Sequence, residues 1–244
     1  MNKTLWIVVA VIVVLGGAYL LTSSPKVPPA TEEQNTLSGE GRVIYSVTDA
    51  AADMGAISEI NMTVSKVEMH SAASADAWVT VSSTPKTFDL LELNASSENE
   101  VLADVKTAVG TYDQVRLSVD SIIVKMKDGS TKTAKLPSGV LKINTAVLVR
   151  AEETASVNFD FLADKSLHVT GNGTYIFAPV VKTEVKSGAT VNVAANGVVT
   201  INGGKVDNSS QMGMDVDGSV KLNFQIDASK KLDIGSDNKI KVGL

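Results

Sequence analysis

Val115–Leu136, VRLSVDSIIVKMKDGSTKTAKL, carries the β grammar of the chain in one unbroken run. Val115, Leu117 and Val119 alternate with polar residues, the period of a strand with one buried face. The alternation slips by one residue at Ser121 and resumes through Ile122, Val124 and Met126, which predicts a β-bulge. Asp128-Gly129 follows, the strongest short hairpin signal in the chain, leading into Thr131 to Leu136.

The same pattern recurs on both sides. Val43, Tyr45 and Val47 alternate up to Asp49. Ile60, Met62 and Val64 alternate, slip at Lys66 and resume with Val67 and Met69. Trp78–Val81 and Thr87–Leu91 read as short strands, as do Ala146–Arg150, Ser156–Phe161, Leu167–Thr170 and Tyr175–Val185. Glu98–Val109 stands apart. Its Val101, Leu102, Val105 and Val109 fall on one face of a short helix, with Gly110 as the stop. Beyond Gly188, alternating pieces are separated by Asn196-Gly197, Asn202-Gly203-Gly204, Asp217-Gly218 and Asp237-Asn238, a run of hairpins with no repeat at a fixed period. They form either a small second β-unit or extra strands completing the first. The expected fold is all-β: an antiparallel β-sandwich with one short helix, plus a C-terminal set of β-hairpins, behind an N-terminal transmembrane helix.

That last element is Leu5–Leu21, LWIVVAVIVVLGGAYLL, seventeen uncharged residues behind the single basic Lys3. Its length lies between a secretory h-region and a full span. A positive start and an apolar core keep the N-terminus cytoplasmic and export the rest. Cleavage after Ala18 would cut inside the apolar run, so a retained signal-anchor over 1–21 is expected. Thr22–Glu40, with three prolines and no hydrophobic periodicity, reads as a stalk. Fully extended it would reach about 65 Å, at roughly 3.3–3.6 Å per residue. The domain plan is then anchor 1–21, stalk 22–40, β-sandwich 41–186 and C-terminal hairpins 187–244.

The chain has net charge −5, and the part beyond residue 21 carries −6 once Lys3 is removed. An acidic surface disfavours nucleic acid and anionic lipid headgroups, leaving the apolar segment as the membrane link. There is no cysteine. Disulfides, thiolate metal sites, cysteine nucleophiles and a lipoprotein anchor are therefore excluded.

Residues spread along Gly41–Lys182 carry a family resemblance. They are Val47-Thr48-Asp49-Ala50, Val64-Ser65-Lys66-Val67-Glu68, Trp78, Lys86-Thr87-Phe88-Asp89-Leu90-Leu91, Gly110-Thr111-Tyr112 with Arg116-Leu117, and Leu136-Pro137-Ser138-Gly139. Asn158-Phe159-Asp160, Lys165-Ser166, Gly171–Tyr175 and Pro179-Val180-Val181 complete the set. In this order they resemble the DUF4382 family, prokaryotic exported domains of unknown function. The resemblance implies a β-sandwich similar to transthyretin-like or carboxypeptidase-regulatory-like modules, tied to a membrane, and supplies no activity. Members commonly look like lipoproteins, and this chain departs from them by lacking the cysteine.

Candidate chemistry is sparse. Asp49, Asp53, Asp160 and Asp164 fall at strand ends, where carboxylates from neighbouring loops could gather around calcium, but Asp at such positions also simply caps turns. Asp215-Val216-Asp217-Gly218 resembles part of an EF-hand loop out of register, and a β-turn is expected. His70 and His168 lie on separate strands and are too few for a metal site. Ser83-Thr84-Pro85-Lys86 matches a serine–lysine pattern without its helix or partner motifs, and Ser138 reads as a turn residue. Asn94, Asn172 and Asn208 head glycosylation sequons, as does Asn61 within a strand. Arg116 and Lys165 are expected to pair with Asp120 or Asp160 and fix strand register. Trp78 is expected in the core, with a carbohydrate-stacking platform as the alternative.

No credible catalytic set emerges, and the chain is read as non-enzymatic, without a resident cofactor. The expected role is a single-pass, membrane-anchored module whose β-domain lies outside the cytoplasm. It would act in surface binding, adhesion or structure, towards a surface protein or glycan. The alternatives are a calcium- or carbohydrate-binding module, then a hydrolase with an unrecognised site.

Overall fold

In a computed structural model, residues 39–50 and 53–243 are described; the apolar run and nearly all of the stalk lie outside the described residues. Among the described residues no helix is long and apolar enough to cross a membrane. In chain order the elements are β1 (Glu40–Asp49), β2 (Ile57–Ser71), β3 (Trp78–Ser82), β4 (Lys86–Asp89), α1 (Leu90–Ser96), β5 (Glu100–Ala108), β6 (Gly110–Met126), β7 (Thr131–Thr133) and β8 (Val140–Val149). There follow β9 (Thr154–Phe161), α2 (Ala163–Ser166), β10 (Leu167–Val169), β11 (Tyr175–Phe177), β12 (Val180–Val193), β13 (Val199–Met214), β14 (Val220–Leu222), β15 (Leu232–Ile234) and β16 (Ile240–Val242). The described residues are all-β apart from two short helices.

The second sheet is built on β2 and β6, and here the two phase slips of the sequence meet. Thr63 pairs with Ser121, Val64 with Val119, and Lys66 with Ser118, so Ser65 and Asp120 are both left out of the ladder. They bulge opposite one another, and Ser65 Oγ donates to Asp120 Oδ1 at 2.5 Å. The slip in each strand returns its apolar residues to one face: Val64, Val67, Val119 and Ile122 are all buried. Each long strand is flanked by two short ones, β3 and β4 on β2, β8 and β7 on β6. The β6–β7 turn forms at Asp128-Gly129, with Gly129 at φ 86° and Asp128 Oδ1 accepting from Ser130 N at 2.8 Å.

The first sheet has strand order β14-β13-β12-β9-β1-β5, with β1 and β9 parallel and the other pairs antiparallel. Its Val43, Tyr45, Val47, Val157, Phe159 and Phe161 share one core with Ile60, Met62, Leu117 and Ile143 of the second sheet. Tyr45 is fully buried, with its hydroxyl on Met69 Sδ at 3.2 Å, and burial pushes its phenol pKa up. β12 runs through Lys186-Ser187-Gly188 without ending.

The helix expected over Glu98–Val109 is a strand. β5 pairs antiparallel with β1, and the helix falls at Leu90–Ser96 instead. Asp89 caps it by accepting from Leu91 N at 3.1 Å. Helical spacing misleads here because the start of β5, residues 101–103, is covered on both faces. Leu102 is passed over in the β1 ladder and enters the main core, whereas Val101 faces away from it. Consecutive buried residues at a bulge imitate a helix face.

Val101 is covered by the far end of the β12–β13 hairpin. Val191, Val193, Val199 and Ile201 close over Ile44 and Val101. Val101 N donates to Gly197 O at 2.8 Å and Val199 N to Asn99 O at 2.7 Å, docking the tip onto the start of β5. The hairpin bends where Gly188, Gly203 and Gly204 hold φ of 62°, 64° and 79°, a backbone region open at little strain only to glycine.

Candidate functional site

Strand register across the second sheet sets one row of side chains side by side. Trp78 of β3 lies opposite His70 of β2, His70 opposite Gln114 of β6, and Gln114 opposite Asn144 of β8. The next row carries Thr80, Glu68, Arg116 and Lys142. These positions alternate with the buried Met69, Val115, Leu117, Leu141 and Ile143, so strand geometry turns them away from the core.

Trp78, His70, Gln114, Arg116 and Asn144 line an open depression of about 410 Å³ on this face. Trp78 is half-buried and faces outward, not into the core as expected. The Arg116 guanidinium lies 3.4 Å from its ring centroid, and the His70 ring is 4.9 Å away and tilted. His70 Nδ1 faces Asp113 Oδ1 at 2.6 Å and Nε2 faces Ala75 O at 3.0 Å. Both partners are acceptors, so both ring nitrogens are satisfied as donors only in the imidazolium. Asp113, then the Ala75 carbonyl, accordingly hold its pKa above the ordinary histidine value. Gln114 Nε2 donates to Asn144 Oδ1 at 2.5 Å.

Arg116 departs from its expected role. Asp120 accepts from Ser65 instead, and the cation near Asp160 is Lys182, at 4.0 Å. Glu68, beside Arg116 in register, is bound by Lys66 at 2.6 Å. Arg116 thus has no carboxylate partner among the described residues, and its Nε is buried without an acceptor. Its neighbour Lys142 makes no ion pair among the described residues either.

The aspartates at strand ends do not converge. Asp49 Oδ1 accepts from Ala163 N at 3.0 Å, and Asp53 Oδ1 from Gly55 N at 3.0 Å. Burial pushes the Asp160 carboxyl up, with Lys182 opposing. Asp164 lies instead in a smaller depression of about 270 Å³ with Lys165, His168 and Lys230. Burial lowers the His168 pKa there. Among the described residues no three His, Asp or Glu side chains gather closely enough to hold a metal ion. Asp215–Gly218 forms the β13–β14 turn, with Asp217 Oδ1 on Ser219 N at 2.8 Å. Ser138 Oγ serves its own turn through Val140, and Lys86 Nζ donates to Val101 O at 2.7 Å. Of the sequon residues, Asn94 is half-buried in α1. Asn172 is exposed, its Oδ1 accepting from Thr174 N at 3.2 Å. Asn208 Nδ2 donates to Thr145 Oγ1 at 3.0 Å.

Asp113, Gln114 and Asn144 were not singled out from the sequence. Gln114 and Asn144 belong to the polar half of the alternation and Asp113 is passed over at a bulge of β6; they become a site only once register joins four strands.

These features define an all-β protein with one polar, aromatic-bearing sheet face. The chain belongs to the DUF4382 family, a domain of unknown function, which matches residues 40–179. The match takes in the whole of β1–β11 and ends at Pro179, just before β12. No curated protein and no solved structure matches it.

Proposed function

We propose that this chain is a non-catalytic binding module held at the outer side of a cell membrane by Leu5–Leu21. The folded part is a two-layer β-sandwich that offers the outer face of β3, β2, β6 and β8 to its partner. The observation that carries this reading is the cluster of Trp78, His70 and Arg116, half-exposed on a sheet face with a shallow depression between them. Aromatic and arginine side chains on an exposed patch are the types that dominate binding energy at interfaces. The reading as non-catalytic rests on the sequence, in which no nucleophile and base form a recognisable set, and His70 adds no free base to it. A base needs a lone pair, and both ring nitrogens of His70 face acceptors. The tether rests on the uncharged run behind Lys3 and the proline-bearing stalk after it.

One experiment addresses both halves. Cells expressing the full chain are washed at alkaline pH and then treated with protease from outside. Retention of the chain on the washed membrane and release of its folded part by the protease are expected. Capture of fluorescently labelled cell-envelope fragments should fall when Trp78→Ala replaces the wild type at equal surface level. Loss of the chain in the wash would overturn the tether, and unchanged capture would overturn the face.

A further inference from the structure

The same face holds an unbalanced charge on an otherwise acidic chain. His70 is offset by Asp113 and Lys66 by Glu68, but Arg116 and Lys142 sit opposite one another without a carboxylate among the described residues. An arginine held in this way is pre-organised. Its Cζ lies 3.4 Å from the Trp78 ring centroid and its Nε is buried, which leaves the two terminal NH2 groups for a planar bidentate acceptor. A carboxylate has that geometry.

The neighbours narrow the ligand further. Gln114 and Asn144 bond to each other through one donor and one acceptor, so one amide oxygen and three N–H groups remain between them. That mixture suits hydroxyl groups, which both donate and accept. The depression is open and lies along a sheet face, a shape for a segment of an extended polymer rather than an enclosed small molecule. Two unpaired cations on a chain of net charge −5 are too few for a nucleic acid backbone.

We infer that this depression binds a carboxylate-bearing saccharide, a uronic acid unit of an acidic polysaccharide. Its carboxylate docks on Arg116 and its hydroxyls on Gln114 and Asn144, with Lys142 adding attraction from the side. The inference rests on the outer face being the binding face and names what it takes.

The test uses the full chain in mild detergent, titrated with polygalacturonate, with dextran as a neutral polymer and with polyglutamate as an acidic peptide. Binding of polygalacturonate alone is expected. Arg116→Lys, which keeps the charge but loses the fork, should weaken it about tenfold or more. Unchanged thermal midpoints would show that the variants fold. Equal binding of dextran, preference for polyglutamate, or full affinity in Arg116→Lys would each overturn the carboxylate–saccharide assignment. Absence of binding to all three polymers would overturn it too. In these cases the face itself stands if Trp78→Ala still lowers envelope capture, and falls with the ligand if it does not.

Discussion

Two patches, one on the outer face of each sheet, meet opposite fates. On the first sheet, Ile44 and Val101 would be exposed apolar residues, but the far end of the β12–β13 hairpin folds over them and brings Ile44 to 0% exposure. On the second sheet, nothing described folds over Trp78, Arg116 and His70, which line an open depression. The covering hairpin lies beyond the matched residues of the family, whereas the open face lies wholly within them. The patch of the first sheet that the hairpin closes is apolar. The other is polar and aromatic and stays accessible, so composition follows coverage.

This contrast can be broken by substitution. Ile44→Ala should destabilise the protein by about 2–5 kcal/mol, the range for emptying a fully buried aliphatic site, read as a lower urea midpoint. A loss below about 1 kcal/mol would mean that the hairpin tip does not pack on the first sheet. Gly204→Val comes next. A Cβ there would lie 2.9 Å from Ala189 Cβ and 3.0 Å from Ser187 O, at φ 79°. Strain of about 1–3 kcal/mol is expected, with faster proteolysis near Asn196-Gly197 as the bent arm loosens. Trp78→Ala on the open face should lower stability by only about 1 kcal/mol and act mainly on binding. If its urea midpoint fell as far as that of Ile44→Ala, the two faces would not differ in the way described.

Much of the second sheet could be read from the chain itself. The slips at Lys66 and Ser121 located two bulges to within one residue, because a bulge leaves its mark in the alternation of buried residues. β5 was misread for the opposite reason. Its Val101 and Leu102 are buried against different clusters, and where a stretch of strand is covered on both faces the alternation that would identify it is lost. The site was harder still. Trp78, Asp113 and Asn144 come from three separate strands, and their meeting depends on register, which no local pattern contains. Trp78 taken alone reads as a core residue. Only its position opposite His70 places it outside.

The smallest effects should come from the two histidines, which the structure drives in opposite directions. His70, between Asp113 and the Ala75 carbonyl, has its pKa raised, and His168 has its pKa lowered by burial. Where the folded value exceeds the unfolded value of about 6.5, the folded state binds more protons. The contribution of His70 is then complete below that pH and is lost as pH rises through its folded value. For His168 the unfolded state binds more protons. Its contribution is complete above about 6.5 and is lost as pH falls towards its lower folded value. Together the two give a shallow stability maximum near the unfolded histidine pKa. Asp113→Asn should flatten the alkaline side and His168→Gln the acid side, each leaving the other limb in place. Proton NMR titration should show the two imidazoles on either side of the ordinary value, with His70 returning towards it in Asp113→Asn. A His70 that titrates at the ordinary value in the wild type would mean that Asp113 does not hold it as a cation. The open face would then carry a weaker positive field around Arg116 than the structure assigns.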